Sequence, residues 1–318
     1  MAETTPYGIK YVKAMNVQDD NSSTRKVCIV DSGYDMNHPD LPNNPAISGQ
    51  SFVPGYDWDT DEVSHGTHVA GTIMALGGNG IGVKGVIRNG LLKVHISKVF
   101  DASGSAFTST VIAGFESCVE AGSNVINMSL GGGGFNKVFA DAIANAYELG
   151  VLTFAAAGNS GDSTLSYPAS YPFVTSVASI TNTYDRSSFS TFNDDVDLCA
   201  PGSGIVSTIP GGLYASYSGT SMACPHVVGV AALVWSHYPK LHHDKLRKIL
   251  EETATDLPLG KNDGYDVEFG HGLVNALASL EAVSGVPTMS PIPSATASLS
   301  NSFVLSILAG LLVHIFSV

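Results

Sequence analysis

Five short runs rich in β-branched residues recur along this chain, at 27–30, 94–99, 124–128, 151–155 and 174–178. Segments with helical spacing lie between or after them, at 65–76, 108–121, 136–149 and 221–238. A strand with one wet face alternates apolar and polar residues, whereas runs as apolar as VCIV at 27–30 expect cover on both faces. Parallel neighbours also need long crossover connections, which the intervening helices supply. The expected fold is therefore α/β: three layers, α/β/α, around a mostly parallel central sheet. Two further helical stretches, 242–254 and 272–283, close the unit. No repeat and no linker interrupts it before residue 285, so residues 1–284 read as one domain. In sheets of this kind, ligand groups gather at the carboxyl ends of the strands.

With 44% hydrophobic residues, the 318-residue chain is not a disordered one. Its net charge of -13 comes from 28 acidic and 15 basic residues and argues against nucleic acid, which would call for a basic stripe. The excess acid suits an extracellular protein or a calcium binder. The start, Met1 to Pro6, has neither the basic nor the apolar region of a signal peptide. Residues 285–302 are a Pro/Ser/Thr-rich linker, and an apolar tail follows at 303–318. A helix from Phe303 to Phe316 would be roughly 21 Å long, short of a hydrocarbon core of about 30 Å. Small residues at Ser294, Ala295 and Thr296, a polar spacer and the tail have the form of a GPI-attachment signal; a short membrane anchor and an incidental apolar tail stay open.

Four cysteines, Cys28, Cys118, Cys199 and Cys224, allow three full pairings. Cys28 lies in an apolar strand and Cys224 in an apolar helix, so both read as buried free thiols. No C-x-x-C spacing supports a zinc ribbon or a thioredoxin-type site.

Three glycine-framed motifs carry chemistry. Val30-Asp31-Ser32-Gly33 puts an acid where a hydrophobic strand ends, a place where an Asp commonly only caps a turn. His65-Gly66-Thr67-His68-Val69-Ala70-Gly71-Thr72 opens a helix with a histidine. The alternative for that pair, metal binding, lacks a second ligand cluster. Gly219-Thr220-Ser221-Met222-Ala223-Cys224-Pro225-His226 sets Ser221 at the head of a long apolar helix, where free N–H groups and the helix dipole favour a developing negative charge. Pro225 reads as a residue of that helix's first turn. A serine hydroxyl is a weak nucleophile until a base takes its proton, and the base needs an acid to fix its tautomer. Asp31, His65 and Ser221 supply those roles.

Taken together, D-S-G, H-G-T-H-V-A-G-T and G-T-S-M-A-C-P-H resemble the subtilisin family of serine proteases over residues 2–284, and the order Asp, His, Ser is that family's. The resemblance implies a serine endopeptidase of polypeptide substrates. It implies that Asn159, in Ala155-Ala156-Ala157-Gly158-Asn159, joins the Ser221 N–H as an oxyanion hole. Substrate would add as a strand between Ser129-Leu130-Gly131 and the loop at Ser103, Gly104, Ser105 and Ala106. A primary pocket walled by Ala156, Ala157, Gly158 and Ser166 carries no charge, so apolar or aromatic side chains are expected before the scissile bond. A structural calcium is implied at Glu3, Asp40 and Asn79 with carbonyls of Leu76, Ile81 and Val83, since hard oxygen donors suit that ion. Thr5-Pro6-Tyr7-Gly8-Ile9 resembles the family's mature start, which implies a zymogen-derived, extracellular or cell-surface monomer with a separate or missing inhibitory prosegment. Two alternatives are an inactive homologue serving as a binding module and a processing protease cutting after basic residues. The first has all four catalytic side chains against it, the second the lack of acids in the pocket.

Overall fold

The computed structural model describes residues 1–257, 264–284 and 312–314. In chain order the elements begin with α1 (Tyr7–Tyr11), β1 (Lys26–Asp31), β2 (Ile47–Ser51), α2 (His65–Met74), β3 (Lys93–Lys98), β4 (Ser105–Phe107), α3 (Thr108–Glu120), β5 (Val125–Met128) and α4 (Lys137–Glu148). They continue with β6 (Leu152–Ala156), β7 (Val174–Ile180), β8 (Val196–Pro201), β9 (Ile205–Ile209), β10 (Leu213–Tyr217), α5 (Thr220–His237), α6 (His243–Glu252), α7 (Ala276–Ser284) and β11 (Leu312–His314).

Seven strands form one sheet in the order β2-β3-β1-β5-β6-β7-β8, and every neighbouring pair is parallel. The chain leaves β1 to build one side of the sheet, then returns to place β5 on the other flank of β1. That reversal makes the carboxyl end of β1 the switch point of the sheet, where such folds open a crevice. Asp31 is the last residue of β1.

Period-2 alternation along β1 feeds two cores. Val27 and Ile29 pack with α2 and α5 on one face, while Cys28 and Val30 pack with Phe115 and Cys118 of α3 on the other. Cys28 is therefore not a free thiol, contrary to the sequence expectation. It is bonded to Cys118, with the two Cα atoms 5.6 Å apart. The physical reason is facing: the strand aims Cys28 at the helix that crosses over it, which strand composition alone does not reveal. Cys224 and Cys199 are free and buried.

Helix α5 is buried along nearly its whole length, so its apolar residues face every direction rather than one stripe. Pro225 stands sixth in this helix, beyond the first turn expected for it. It cannot donate to the carbonyl four residues back, that of Ser221. The Ser129 hydroxyl donates there instead, at 2.8 Å.

Strands β2 and β8 escape a reading based on β-branched runs because ISGQS is polar at an edge and VDLCAP carries an acid and a proline. Of the apolar tail, residues 312–314 are strand, not the helix considered above, and they pair antiparallel with β4. The linker 285–302 and the rest of the tail lie outside the described residues. Among the described residues no helix is long and apolar enough to cross a membrane.

Candidate active site

Asp31 is fully buried at the end of β1, and its Oδ1 accepts from the Ser32 N–H at 2.7 Å and from His65 Nδ1 at 2.8 Å. Since the carboxylate only accepts, Nδ1 carries the proton and Nε2 is left as the basic nitrogen. His65 is the first residue of α2, and two glycines let that helix start against β1. A Cβ on Gly66 would collide with the Gly33 carbonyl, and Gly33 itself sits at φ +123° against the Thr60 carbonyl.

A residue that sequence reasoning missed holds this junction. Asp61 Oδ1 accepts from the Ser32 hydroxyl (2.8 Å) and from the N–H groups of Val63 (3.2 Å) and Ser64 (2.9 Å). Its Oδ2 accepts from the N–H (2.8 Å) and hydroxyl (2.6 Å) of Thr67. One carboxylate thus ties the turn after Asp31 to the amino end of the His65 helix, where the dipole favours a negative charge. Its signal in the sequence was an acid just ahead of a helix start, as in D-x-x-S.

Ser221 is the second residue of α5 and is buried. Its hydroxyl donates to the Ser129 carbonyl at 3.1 Å, while the buried His65 Nε2 has no hydrogen-bond partner. Asp31 and His65 are thus hydrogen-bonded to one another, while the serine is turned to Ser129. Asn127 Nδ2 donates to Ser129 Oγ at 3.0 Å and steadies that residue in turn.

Asn159 Oδ1 accepts from the Thr220 N–H (2.9 Å) and hydroxyl (2.8 Å), which fixes the amide and leaves Nδ2 facing away. A Cβ built on Gly219 would stand 3.1 Å from Asn159 Nδ2 and 3.6 Å from the Ser221 nitrogen. Two donors therefore border one space, and a side chain at 219 would fill it. Thr220 was not singled out in the sequence, although it sits inside the serine motif.

In the expected pocket, Ala156 and Ala157 are buried and Gly158 sits at φ +120°. A Cβ on Gly158 would lie 2.7 Å from Thr191 Oγ1 and 3.3 Å from Ser166 Cβ, so Ser166 and Thr191 stand across from it. On the lips of the cleft, Leu130 is buried, Ser129 is engaged with Ser221, and Gly131 follows them. The opposite lip is shaped by Asp101, whose carboxylate accepts from the N–H and hydroxyl of Ser103 at 2.8 and 2.5 Å. Gly104 turns at φ +72° toward Val63, and Ser105 and Ala106 begin β4.

The neighbouring histidines do not compete as bases or as a metal pair. Burial pulls His68 down to about 3, and its Nε2 donates to the carbonyls of Ile205 (3.0 Å) and Ala215 (3.2 Å). Burial likewise lowers His226 to about 4.

The expected calcium ligands converge. The first residues bridge to the loop through Ala2–Ile81 and Thr4–Val83, which brings Glu3 to it. Asp40 Oδ1 accepts from Asn79 Nδ2 at 2.6 Å and Oδ2 from the Val83 N–H at 2.8 Å. Burial pushes the Asp40 carboxyl up despite these donors, the mark of an anion short of positive charge. A Cβ on Gly82 would run into Asp40 Oδ2, so only glycine leaves room beside that carboxylate. Leu76 is tied in through its N–H on the Asp40 carbonyl (2.9 Å). The buried Asp40 carboxylate beside this loop suits a hard cation, with the Asn79 Nδ2 turned to Asp40 and its Oδ1 accepting from the Ile81 N–H at 3.0 Å. Glu3 departs from that pattern, because Lys84 at 2.8 Å and the Gly78 N–H at 2.6 Å already hold its carboxylate below its usual range.

A buried acid, a histidine and a serine at the switch point of a parallel sheet define a class, and the sequence agrees with it: the model of the Subtilase family matches residues 22–272, so the chain belongs to that family. It is 41% identical to Subtilisin DY of Bacillus licheniformis, over 88% of this chain and the whole of that protein. It is 42% identical to Subtilisin of Bacillus pumilus, again over 88% of this chain and all of the relative. Among solved structures, the psychrophilic subtilisin-like protease Apa1 from the Antarctic psychrotroph Pseudoalteromonas sp. AS-11 matches with a TM-score of 0.83 at 29% identity, covering 89% of this chain and 98% of that one. The protein is a subtilisin-type serine endopeptidase.

Proposed function

We propose that this endopeptidase cleaves polypeptides through Asp31, His65 and Ser221, with a preference for apolar or aromatic side chains before the scissile bond. The observation that carries the triad is His65 Nδ1 held at 2.8 Å on Asp31 Oδ1, leaving a buried, unpartnered Nε2. Substrate entry turns the Ser221 hydroxyl from Ser129 to that nitrogen, a rotamer step of the kind that completes catalytic hydrogen bonds on binding. Ser221 Oγ then attacks the peptide carbonyl carbon while its proton passes to His65 Nε2. The carbonyl oxygen becomes the oxyanion between Asn159 Nδ2 and the Ser221 N–H. His65 gives the proton to the leaving amine, and an acyl-enzyme remains. Water attacks the ester with His65 again as base, releasing the acid and restoring Ser221.

The uncharged walls at Ala156, Ala157, Gly158 and Ser166 support the apolar preference, because Lys or Arg would be buried there without a partner. Calcium would be held by Asp40, Asn79 and the carbonyls of Leu76, Ile81 and Val83, with Glu3 beside them, and would supply the positive charge that the buried Asp40 carboxylate lacks. Residues 1–284 form the catalytic domain of an extracellular or cell-surface monomer, with a separate or missing inhibitory prosegment. Profiling a diverse peptide mixture, with and without EDTA, tests the reading. Cuts after Phe, Tyr, Leu or Met are expected; cuts confined to Lys or Arg would overturn the pocket assignment.

A further inference from the structure

Strand β4 is the lip on which substrate is expected to add as an extra strand, and that edge is already taken. Among the described strands, the one that pairs with β4 is β11, from the chain's own apolar tail. The pairing is antiparallel, with Leu312 opposite Phe107, Val313 opposite Ala106 and His314 opposite Ser105. Its polarity matters. The carboxyl end of β11 lies at the Ser105 end of β4, beside the Gly104 turn that approaches Val63, two residues before His65. The tail strand therefore runs along the lip toward the catalytic histidine, and it also lies beside α3, the helix that follows β4.

We propose that β11 is a built-in competitor for substrate: the chain's own tail occupies the β4 edge and must leave before an extended peptide can pair there. This rests on the reading of Ser103, Gly104, Ser105 and Ala106 as a substrate lip. The same physics serves both occupants, because main-chain N–H and C=O groups of an edge strand accept any extended segment. Tethering makes a short ladder effective. Residues 285–311 can span up to about 90 Å, so reach does not limit them, and covalent linkage alone raises the effective concentration of β11 at the β4 edge. An occupant of that kind reduces the open fraction of the enzyme, and apparent substrate affinity falls in proportion. It does not touch the chemical step once substrate is bound.

The test compares the full chain with its Leu312→Pro/Val313→Pro variant, since proline removes the N–H groups a ladder needs. A portion of each is treated with a fluorophosphonate to read labelling of Ser221, and a separate untreated portion is assayed on a chromogenic peptide long enough to pair with β4. Hydrogen exchange at Ser105, Ala106 and Phe107 is followed in parallel. The variant should show KM about 2- to 10-fold lower with kcat unchanged, and faster exchange at the β4 amides that face β11, which alternate along the strand. Labelling of Ser221 in both chains with equal KM and equal exchange would overturn the competitor proposal alone. If neither chain is labelled or active, the protease assignment fails, and the proposal goes with it.

Discussion

Ser221 is held from three directions. Its hydroxyl rests on the Ser129 carbonyl, its own carbonyl accepts from Ser129 Oγ, and the space beside its N–H is shared with Asn159. Pro225 explains the second contact, because a helix interrupted by proline leaves the carbonyl four residues back without its partner. Replacing Ser129 by Ala leaves that buried carbonyl unpaired and should cost about 1–3 kcal/mol of stability, read from urea midpoints. Asn159→Leu should lower kcat by about 10² to 10³ with KM little changed, the size found for loss of this donor in a subtilisin. Asp61→Ala should lower kcat about 10- to 100-fold, because its five donors lose the carboxylate that fixes the His65 helix against Asp31. An Asp61→Ala enzyme with unchanged kcat would remove the positioning role. Asp31, His65 and Ser221, the residues of the proposed triad, stand out in the sequence because their motifs carry glycines, and at Gly33 and Gly66 the close approach of β1 and α2 demands them. Asp61, Thr220 and Thr191 were not, since hydrogen-bonding polar residues in loops look alike until the fold brings their partners.

At the scale of elements, the central strands could be read directly because burial on both faces leaves them uniformly apolar. The edge strand β2, the proline-ended β8 and the β9–β10 hairpin could not, because their polar residues look like loop. Cys28 shows the same limit: composition gives its burial, whereas its facing depends on which helix crosses the sheet. The Cys28–Cys118 bond closes a long loop, with the two residues 90 apart in sequence, from β1 through β2, α2 and β3 to α3. Cys28→Ser/Cys118→Ser should therefore lose about 2–4 kcal/mol, measured by denaturant unfolding, and keep its cleavage pattern. Calcium is an element-scale claim too, since its donors come from the amino-terminal segment, Asp40 and the loop 76–83. EDTA should lower the thermal midpoint, and Asp40→Asn should abolish that shift; a midpoint indifferent to EDTA would remove the ion from the account.

For the molecule as a whole, burial couples stability to pH. His68 and His226 titrate at about 3 and 4 when folded, against about 6.5 when unfolded. Between those values the unfolded chain binds more protons, so stability is full above about pH 7 and is lost as pH falls toward 3. Urea unfolding at pH 7, 6, 5 and 4 should show a steady fall, amounting to several kcal/mol in total; a flat profile would mean that these rings take up protons in the folded protein as readily as in the unfolded chain. His65, whose Nδ1 is held by Asp31 and whose Nε2 is unpartnered, is the histidine proposed as the base. The central claim is that this base activates Ser221, and a fluorophosphonate reads it directly. Mass spectrometry should find one adduct, on the peptide that contains Ser221, and none in a folded His65→Ala variant. An adduct on another serine, or equal labelling without His65, would contradict the account.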